Sequence, residues 1–289
     1  MGGSSRTAGR SHPSGPVCPG AGGRRGRWHT RRVTGAHGLP DQRPARVRLE
    51  WGRAGALALL GAHAPGTLVV VVDVLSFSTA VTVACERGVV VHPYPDRDAD
   101  GAQALATRAG AALASPRRDG RLSLSPASLA GAEPGRLVLP SPNGATITHA
   151  LAGTGATVVA GCLRNARAVA ACVAAHLAVD QGHGVVLVPA GERWPDGSLR
   201  PGLEDLLGAG AVAARLGAGP GVTLSPEASA AAALWRGTPD PAATVAASTS
   251  GRELVEAGWS RDVEIAVQVD ATATVPRLLD DGLGPAFRA

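Results

Sequence analysis

Leu68-Val-Val-Val-Val-Asp-Val-Leu-Ser-Phe-Ser-Thr-Ala-Val-Thr-Val-Ala-Cys-Glu-Arg-Gly-Val-Val-Val91 decides the fold. Leu68–Val72 is an unbroken apolar run of strand length, rich in β-branched side chains. Ser78–Arg87 reads as a helix, closed by Gly88, and Val89–Val91 as a second strand. A strand, a helix and a strand this closely spaced predict a parallel sheet covered on both faces.

The alternation continues outward. Asp98–Ala109 places Ala102, Leu105, Ala106 and Ala109 on one helical face. Arg136–Leu139, Thr157–Ala160 and Gly184–Val188 read as strands. Asn165 opens a helix whose core face is Val169, Cys172, Val173 and Leu177, and Leu203–Leu216 is a further helix. Asp262–Asp270 alternates Val263, Ile265, Val267 and Val269, so its period predicts a strand. The fold class is α/β, a three-layer α/β/α arrangement around a mostly parallel sheet.

Composition narrows the function. All 28 basic residues are arginine, which excludes a lysine Schiff base or a phosphate-loop lysine. Ten arginines and one acid lie in residues 1–48, so the remainder carries 18 Arg against 22 acids, a net charge of −4. The basic character belongs to the first 48 residues, and the folded part does not read as a nucleic-acid binder. Residues 1–48 are rich in Gly, Ser, Arg and Pro and read as a disordered extension, with 49–289 as one domain. No apolar run is long enough to span a bilayer. Four cysteines without a framework spacing point to a reducing, cytoplasmic setting. Cys85 and Cys172 read as core, and Cys162 as the one thiol placed near a strand end.

Ligands of open parallel sheets bind beyond the carboxyl ends of the strands. Asp73 ends the first strand and can meet a hard cation such as Mg²⁺ through oxygen; the bland alternative is an Asp that orders the turn. Ser141-Pro-Asn-Gly144 with Thr146 follows a strand and opens a helix, where free N–H groups attract phosphate or sulfonate oxygens; Pro-Asn-Gly is also an ordinary turn. Gly191-Glu192-Arg193 follows another strand, and Glu204-Asp205 starts the next helix. Adjacent acids there also complement the helix dipole. Arg117-Arg118 and Arg164 flank the same loops and suit bidentate recognition of oxyanions.

The ordered set Asp73-Val-Leu-Ser-Phe-Ser-Thr79, Ser123-Leu-Ser-Pro-Ala-Ser128, Pro140-Ser-Pro-Asn-Gly-Ala-Thr146, Gly161-Cys-Leu-Arg-Asn165, Pro189-Ala-Gly-Glu-Arg193 and Leu203-Glu-Asp-Leu206, closing with Asp270 and Val275-Pro276, resembles the 2-phosphosulfolactate phosphatase family over about Leu68 to Leu279. The resemblance implies a Mg²⁺-dependent phosphatase of α/β/α fold that converts 2-phosphosulfolactate to sulfolactate and phosphate in coenzyme M synthesis. It implies Asp73, Glu204 and Asp205 as the acidic, metal-holding and catalytic set. It implies Asn143, Gly144, Thr146 and Asn165 as substrate contacts, and Arg118 by a looser match; Ser141 and Glu192 join them as candidate substrate contacts from their places after strands. It also implies a helix over Asp262–Asp270, against the alternation. Where the family pattern reads Asp-Val-Leu-Arg-Ala, this chain has Ser76-Phe77. The expected partner is a small phosphorylated acid, with neither nucleic acid for the folded domain nor membrane; sulfonation of that acid and homo-oligomerisation are left open. The alternatives are an anion-binding protein that keeps the fold without the chemistry, and a hydrolase of another phosphorylated metabolite.

Overall fold

A computed structural model of the chain describes residues 1–3 and 42–289, apart from 62–63, 96–97, 218 and 220. Its strands are β1 (Val47–Leu49), β2 (Thr67–Val72), β3 (Val89–Pro95), β4 (Ala112–Leu113), β5 (Gly135–Ser141), β6 (Thr157–Gly161), β7 (Gly184–Pro189), β8 (Glu192–Arg193), β9 (Leu199–Arg200), β10 (Arg277–Asp280) and β11 (Pro285–Arg288). Its helices are α1 (Gly52–Leu60), α2 (Phe77–Glu86), α3 (Ala99–Ala109), α4 (Pro126–Leu129), α5 (Gly144–Leu151), α6 (Ala166–Val179), α7 (Leu203–Leu216), α8 (Pro226–Gly237), α9 (Pro241–Ala246), α10 (Thr249–Glu256) and α11 (Ser260–Ala266). None of these helices is long and apolar enough to cross a membrane.

β2 shows why three layers form. Successive side chains of a strand point to opposite faces. Leu68, Val70 and Val72 pack with Val169 and Val173 of α6 and Leu207 and Val212 of α7. Val69 and Val71 pack with Leu59 of α1 and Ile147 of α5. The same division recurs on β5, where Leu137 and Leu139 join α2 and α4 while Val138 meets α3. With few aromatics, Phe77 and Phe287 are the largest buried side chains in their part of the core and meet edge to face with centroids 6.2 Å apart.

The sheet runs β1-β7-β2-β6-β10-β11-β3-β5-β4. Two parallel groups, β1-β7-β2-β6 and β3-β5-β4, are joined through the antiparallel hairpin β10–β11. The expected strand-helix-strand unit therefore exists as elements, but β2 and β3 are not neighbours. Three strands lie between them, and the ladders give β3 the opposite sense. Sheet twist of roughly 20–25° per step makes the two groups cross rather than simply oppose, so that the end of β5 can come to the end of β2.

Two expectations change. Asp262–Asp270 is not a strand: Ser260–Ala266 is the helix α11, as the family resemblance implied. Val263 and Ala266, three apart, enter one core and Ile265 another, while Val269 is exposed. Short apolar alternation fits either period, and tertiary packing selects the helix. The expected extension falls mostly outside the described residues, but its boundary moves, because Val47 and Arg48 lie buried in β1, paired in parallel with β7. Truncation through residue 48 is therefore expected to lower the melting temperature. Fully burying one Val is worth about 1.5–3 kcal/mol, and an unchanged melting temperature would show that β1 is dispensable.

Candidate functional site

The end of β2 is built around Asp73. Its Oδ1 accepts the Phe77 N–H at 3.0 Å and its Oδ2 accepts the Gly144 N–H at 2.9 Å. One carboxylate thus pins the start of α2 and the start of α5. Gly144 is required by this approach: a Cβ there would lie 2.2 Å from Phe77 Cδ1 and 2.8 Å from Asp73 Oδ2. Asp205, in the first turn of α7, makes a second staple. Its Oδ1 accepts the Val74 N–H at 2.7 Å and its Oδ2 the Gly191 N–H at 2.8 Å, tying together the ends of the neighbouring strands β2 and β7.

Glu192 and Glu204 complete an acidic group. Asn143 Nδ2 donates to Glu192 Oε2 at 2.8 Å. Glu204 is buried, and no hydrogen bond to its carboxylate occurs among the described residues. The four carboxylates feel one another. Burial, and then the charge of Glu204, push the Asp73 carboxyl up to about 6, although its two N–H bonds pull the other way. Burial and the charge of Asp73 push Glu192 up to about 7. Burial, with the charges of Asp73 and Glu204, holds Asp205 well above the usual carboxylate range. Raised native pKa values favour the protonated fold, so this contribution is fullest at about pH 4 and is lost as pH rises through 6–7. The metal-free protein is expected to melt progressively lower from pH 5 to pH 8; a flat profile would show that the acids do not interact in this way.

Arg117 faces this group. Its Nη2 donates to Ser76 Oγ at 2.8 Å and to Leu124 O at 3.3 Å, and its Nε lies 3.8 Å from Asp262 Oδ2. Asp262 is itself buried and accepts from Ser125 Oγ and from the Ala127 N–H. Asp73, Ser76, Arg117, Ser141, Asn143 and Glu192 all line one cleft of about 700 Å³, within the usual range of ligand pockets.

Other expected contacts lie elsewhere. Arg118 is exposed and does not line this cleft; its neighbour Arg117 does. Thr146 Oγ1 donates to Ser141 O at 3.1 Å, bracing the loop. The Gly144 N–H is already taken by Asp73. Asn165 is buried and binds backbone atoms of Ala160, Cys162 and Thr274, so it orders a strand end rather than meeting a ligand in the cleft. Arg164 pairs with Glu86 and Gln268. Cys85, Cys162 and Cys172 are free thiols. Burial raises the Cys162 pKa, and its Sγ sits 3.7 Å from Thr82 Oγ1, away from the cleft lining. Cys162→Ser is expected to keep most of the activity, and abolished turnover in a folded variant would restore a thiol mechanism.

Ser76 stood out in the sequence only as a departure from the family pattern, and Asp262 was not singled out as a site residue. The Ser123–Ser128 motif held a clue, since its Ser125 bonds Asp262; reading Asp262 as part of a strand hid it. As for a metal, no three His, Cys, Asp or Glu side chains among the described residues stand together ready to hold an ion. Asp205, expected as a ligand, has both oxygens on backbone amides, as Asp73 does, but unlike Asp73 it does not line the cleft. The donor chemistry nevertheless fits a hard cation: all oxygen, crowded negative charge, and a Glu204 carboxylate not otherwise bonded. Mg²⁺ commonly takes only one or two carboxylates, with waters and a substrate phosphate completing its shell.

Comparison with known proteins identifies the family. A family model described as 2-phosphosulpholactate phosphatase matches residues 58–281. A probable 2-phosphosulfolactate phosphatase of Carboxydothermus hydrogenoformans is 31% identical over 220 residues, covering 74% of this chain and 87% of the relative. One from Thermus thermophilus is 33% identical over 219 residues, covering 73% and 87%. Another, from Deinococcus radiodurans, is 30% identical over 217 residues, covering 72% and 86%. With the family model spanning most of the domain, the chain belongs to the 2-phosphosulfolactate phosphatase family, a group of phosphoric monoester hydrolases.

Proposed function

We propose that this chain hydrolyses a phosphomonoester in the Asp73–Arg117 cleft with the help of Mg²⁺. The observation that carries the reading is the meeting of Asp73 with Glu192, Glu204 and Asp205, with the braced Arg117 guanidinium facing Asp73 and Glu192 across the cleft. Asp73 and Glu204 would hold the ion, and a bound Mg²⁺ supplies positive charge to the phosphoryl oxygens. Arg117, held from behind by Asp262 and from the side by Ser76, binds and orients the phosphoryl group. Glu192 takes the proton of the attacking water. With its carboxyl pushed up to about 7, it is matched to neutral pH, and Asn143 fixes its orientation. Asp73, tied through both oxygens, is a fixed anchor; nothing supports an aspartyl-phosphate there. Free Cys85, Cys162 and Cys172 support a reducing, cytoplasmic setting.

The substrate in the relatives' names, 2-phosphosulfolactate, is the reference compound. Phosphate release is expected with Mg²⁺ and not with EDTA. Mg²⁺ is also expected to raise the melting temperature more at pH 8 than at pH 5, because protons compete for the same carboxylates. Release unaffected by EDTA would remove the metal from this reading, and ligand binding without turnover would favour an anion-binding protein.

A further inference from the structure

A second cavity, of about 450 Å³, adjoins the reaction cleft at Asn143 and Glu192, which line both. Its walls come mainly from the start of α1 and from the β8–β9 hairpin. Leu199 of the hairpin packs over two glycines: its Cδ1 is 2.7 Å from where a Cβ of Gly191 would stand and 3.5 Å from where one of Gly52 would. Glycine at 191 is therefore what lets the hairpin close on α1. Trp51, Leu57, Ile147 and Leu199 give the cavity an apolar surface. Leu57 and Leu199 remain 37% and 40% exposed, so the described residues leave that surface uncovered. Trp51, Arg53 and Leu57 precede the stretch matched by the family model, so family membership does not assign this cavity.

The charged side chains of the lining are Arg53, Arg193 and Glu192. Arg193 donates to carbonyl oxygens, Pro142 O at 3.4 and 3.3 Å and Gly197 O at 3.2 Å. Arg53 is exposed, and neither arginine has a carboxylate partner among the described residues. Glu192 is engaged by Asn143 Nδ2 at 2.8 Å and faces the charge of Arg117 in the cleft. The cavity thus combines two guanidinium groups, whose planar donors suit a carboxylate, with apolar walls that suit a hydrocarbon tail. A neutral apolar ligand would leave the arginines unanswered, and a cation would be repelled. We propose that this cavity is a second binding site, separate from the reaction cleft, for a singly charged organic anion with an apolar tail, a medium-chain carboxylate. Binding there goes beyond the phosphatase reading and does not depend on it.

The test is calorimetric titration of the full chain with butanoate, hexanoate and octanoate, and with octylammonium as the cationic counterpart. Affinity is expected to rise about fourfold per buried methylene along the carboxylate series, with no binding of octylammonium. Arg53→Gln and Arg193→Gln are each expected to weaken octanoate about tenfold, and higher salt to weaken it further. Arg117→Ala, in the reaction cleft, is expected to leave octanoate affinity unchanged. Arg53 does not line that cleft, so phosphate release by Arg53→Gln is expected to match that of the wild-type chain. Octylammonium binding as well as octanoate, or unchanged octanoate affinity in both Arg53→Gln and Arg193→Gln, would overturn the selection for an anion. Weakening by Arg117→Ala alone would place the anion in the reaction cleft, and phosphate release falling with octanoate affinity in Arg53→Gln would make the cavity part of the substrate site; either overturns a separate site. No carboxylate binding below about 10 mM would overturn the proposal outright, and a stable dimer of such a chain would assign the exposed leucines to a second copy. None of these results bears on whether the cleft hydrolyses phosphomonoesters, which the Mg²⁺ and EDTA assay decides.

Discussion

Replacing Asp73 by asparagine is expected to lower phosphomonoester turnover by ~100-fold or more, the scale seen when one preorganised electrostatic group is lost. The side chain keeps its shape but loses the charge proposed to anchor Mg²⁺. Its effect on stability has two opposing parts. The carboxylate accepts N–H groups from both Phe77 and Gly144. Asparagine can accept one of them and turns its own N–H₂ toward the other, at a cost of about 1–3 kcal/mol. Removing one charge from four crowded carboxylates works the other way. At pH 8 the melting temperature should therefore change far less than turnover. Turnover and fold lost together would mean that Asp73 serves mainly to order the turn.

Arg117→Ala is expected to cost about 10²–10³-fold in kcat and, unlike Asp73→Asn, to cost stability as well. Asp262 is 1% exposed, and its Oδ2 has no hydrogen bond, only the guanidinium at 3.8 Å. Without Arg117 its charge stays buried and unanswered. Adding Asp262→Asn to Arg117→Ala removes that charge while an oxygen remains to accept from Ser125 and Ala127. The double variant should recover part of the melting temperature and none of the turnover. Recovery of turnover would show that Arg117 acts only by supporting Asp262. Nearly intact turnover in Arg117→Ala would remove the arginine from phosphoryl binding.

Local signals were legible wherever a segment's own period decided its structure. Leu203–Leu216 is helical over the span its sequence predicts. Ala102, Leu105, Ala106 and Ala109 form the buried face of α3 as their spacing requires. The strand-end rule led to Asp73, Asn143 and Glu192 in the cleft and to Asp205 beside them. What sequence could not show was strand order. The hairpin β10–β11 carries only two fully buried apolar residues, Ala286 and Phe287; Asp281-Gly282 was its one local sign, a common hairpin-turn dipeptide. Its insertion between β6 and β3 decides which loops meet. Once that is known, Thr146 and Asn165 become braces of their own loops, and Arg117 replaces Arg118, because adjacent residues in a tight turn point in different directions. Arg117 and Asp262 are 145 positions apart in sequence, and no local pattern joins them.

The central claim is that Asp73 and Arg117 stand on two sides of one phosphoryl group. The most direct test is a crystal structure of the full chain with Mg²⁺ and orthovanadate, which mimics a phosphoryl group in transfer. The account predicts an ion about 2.0–2.1 Å from an Asp73 oxygen, with Glu204 in its shell, and the oxyanion hydrogen-bonded to the Arg117 guanidinium. Vanadate seated elsewhere, with Arg117 still on Ser76 and no metal at Asp73, would contradict it.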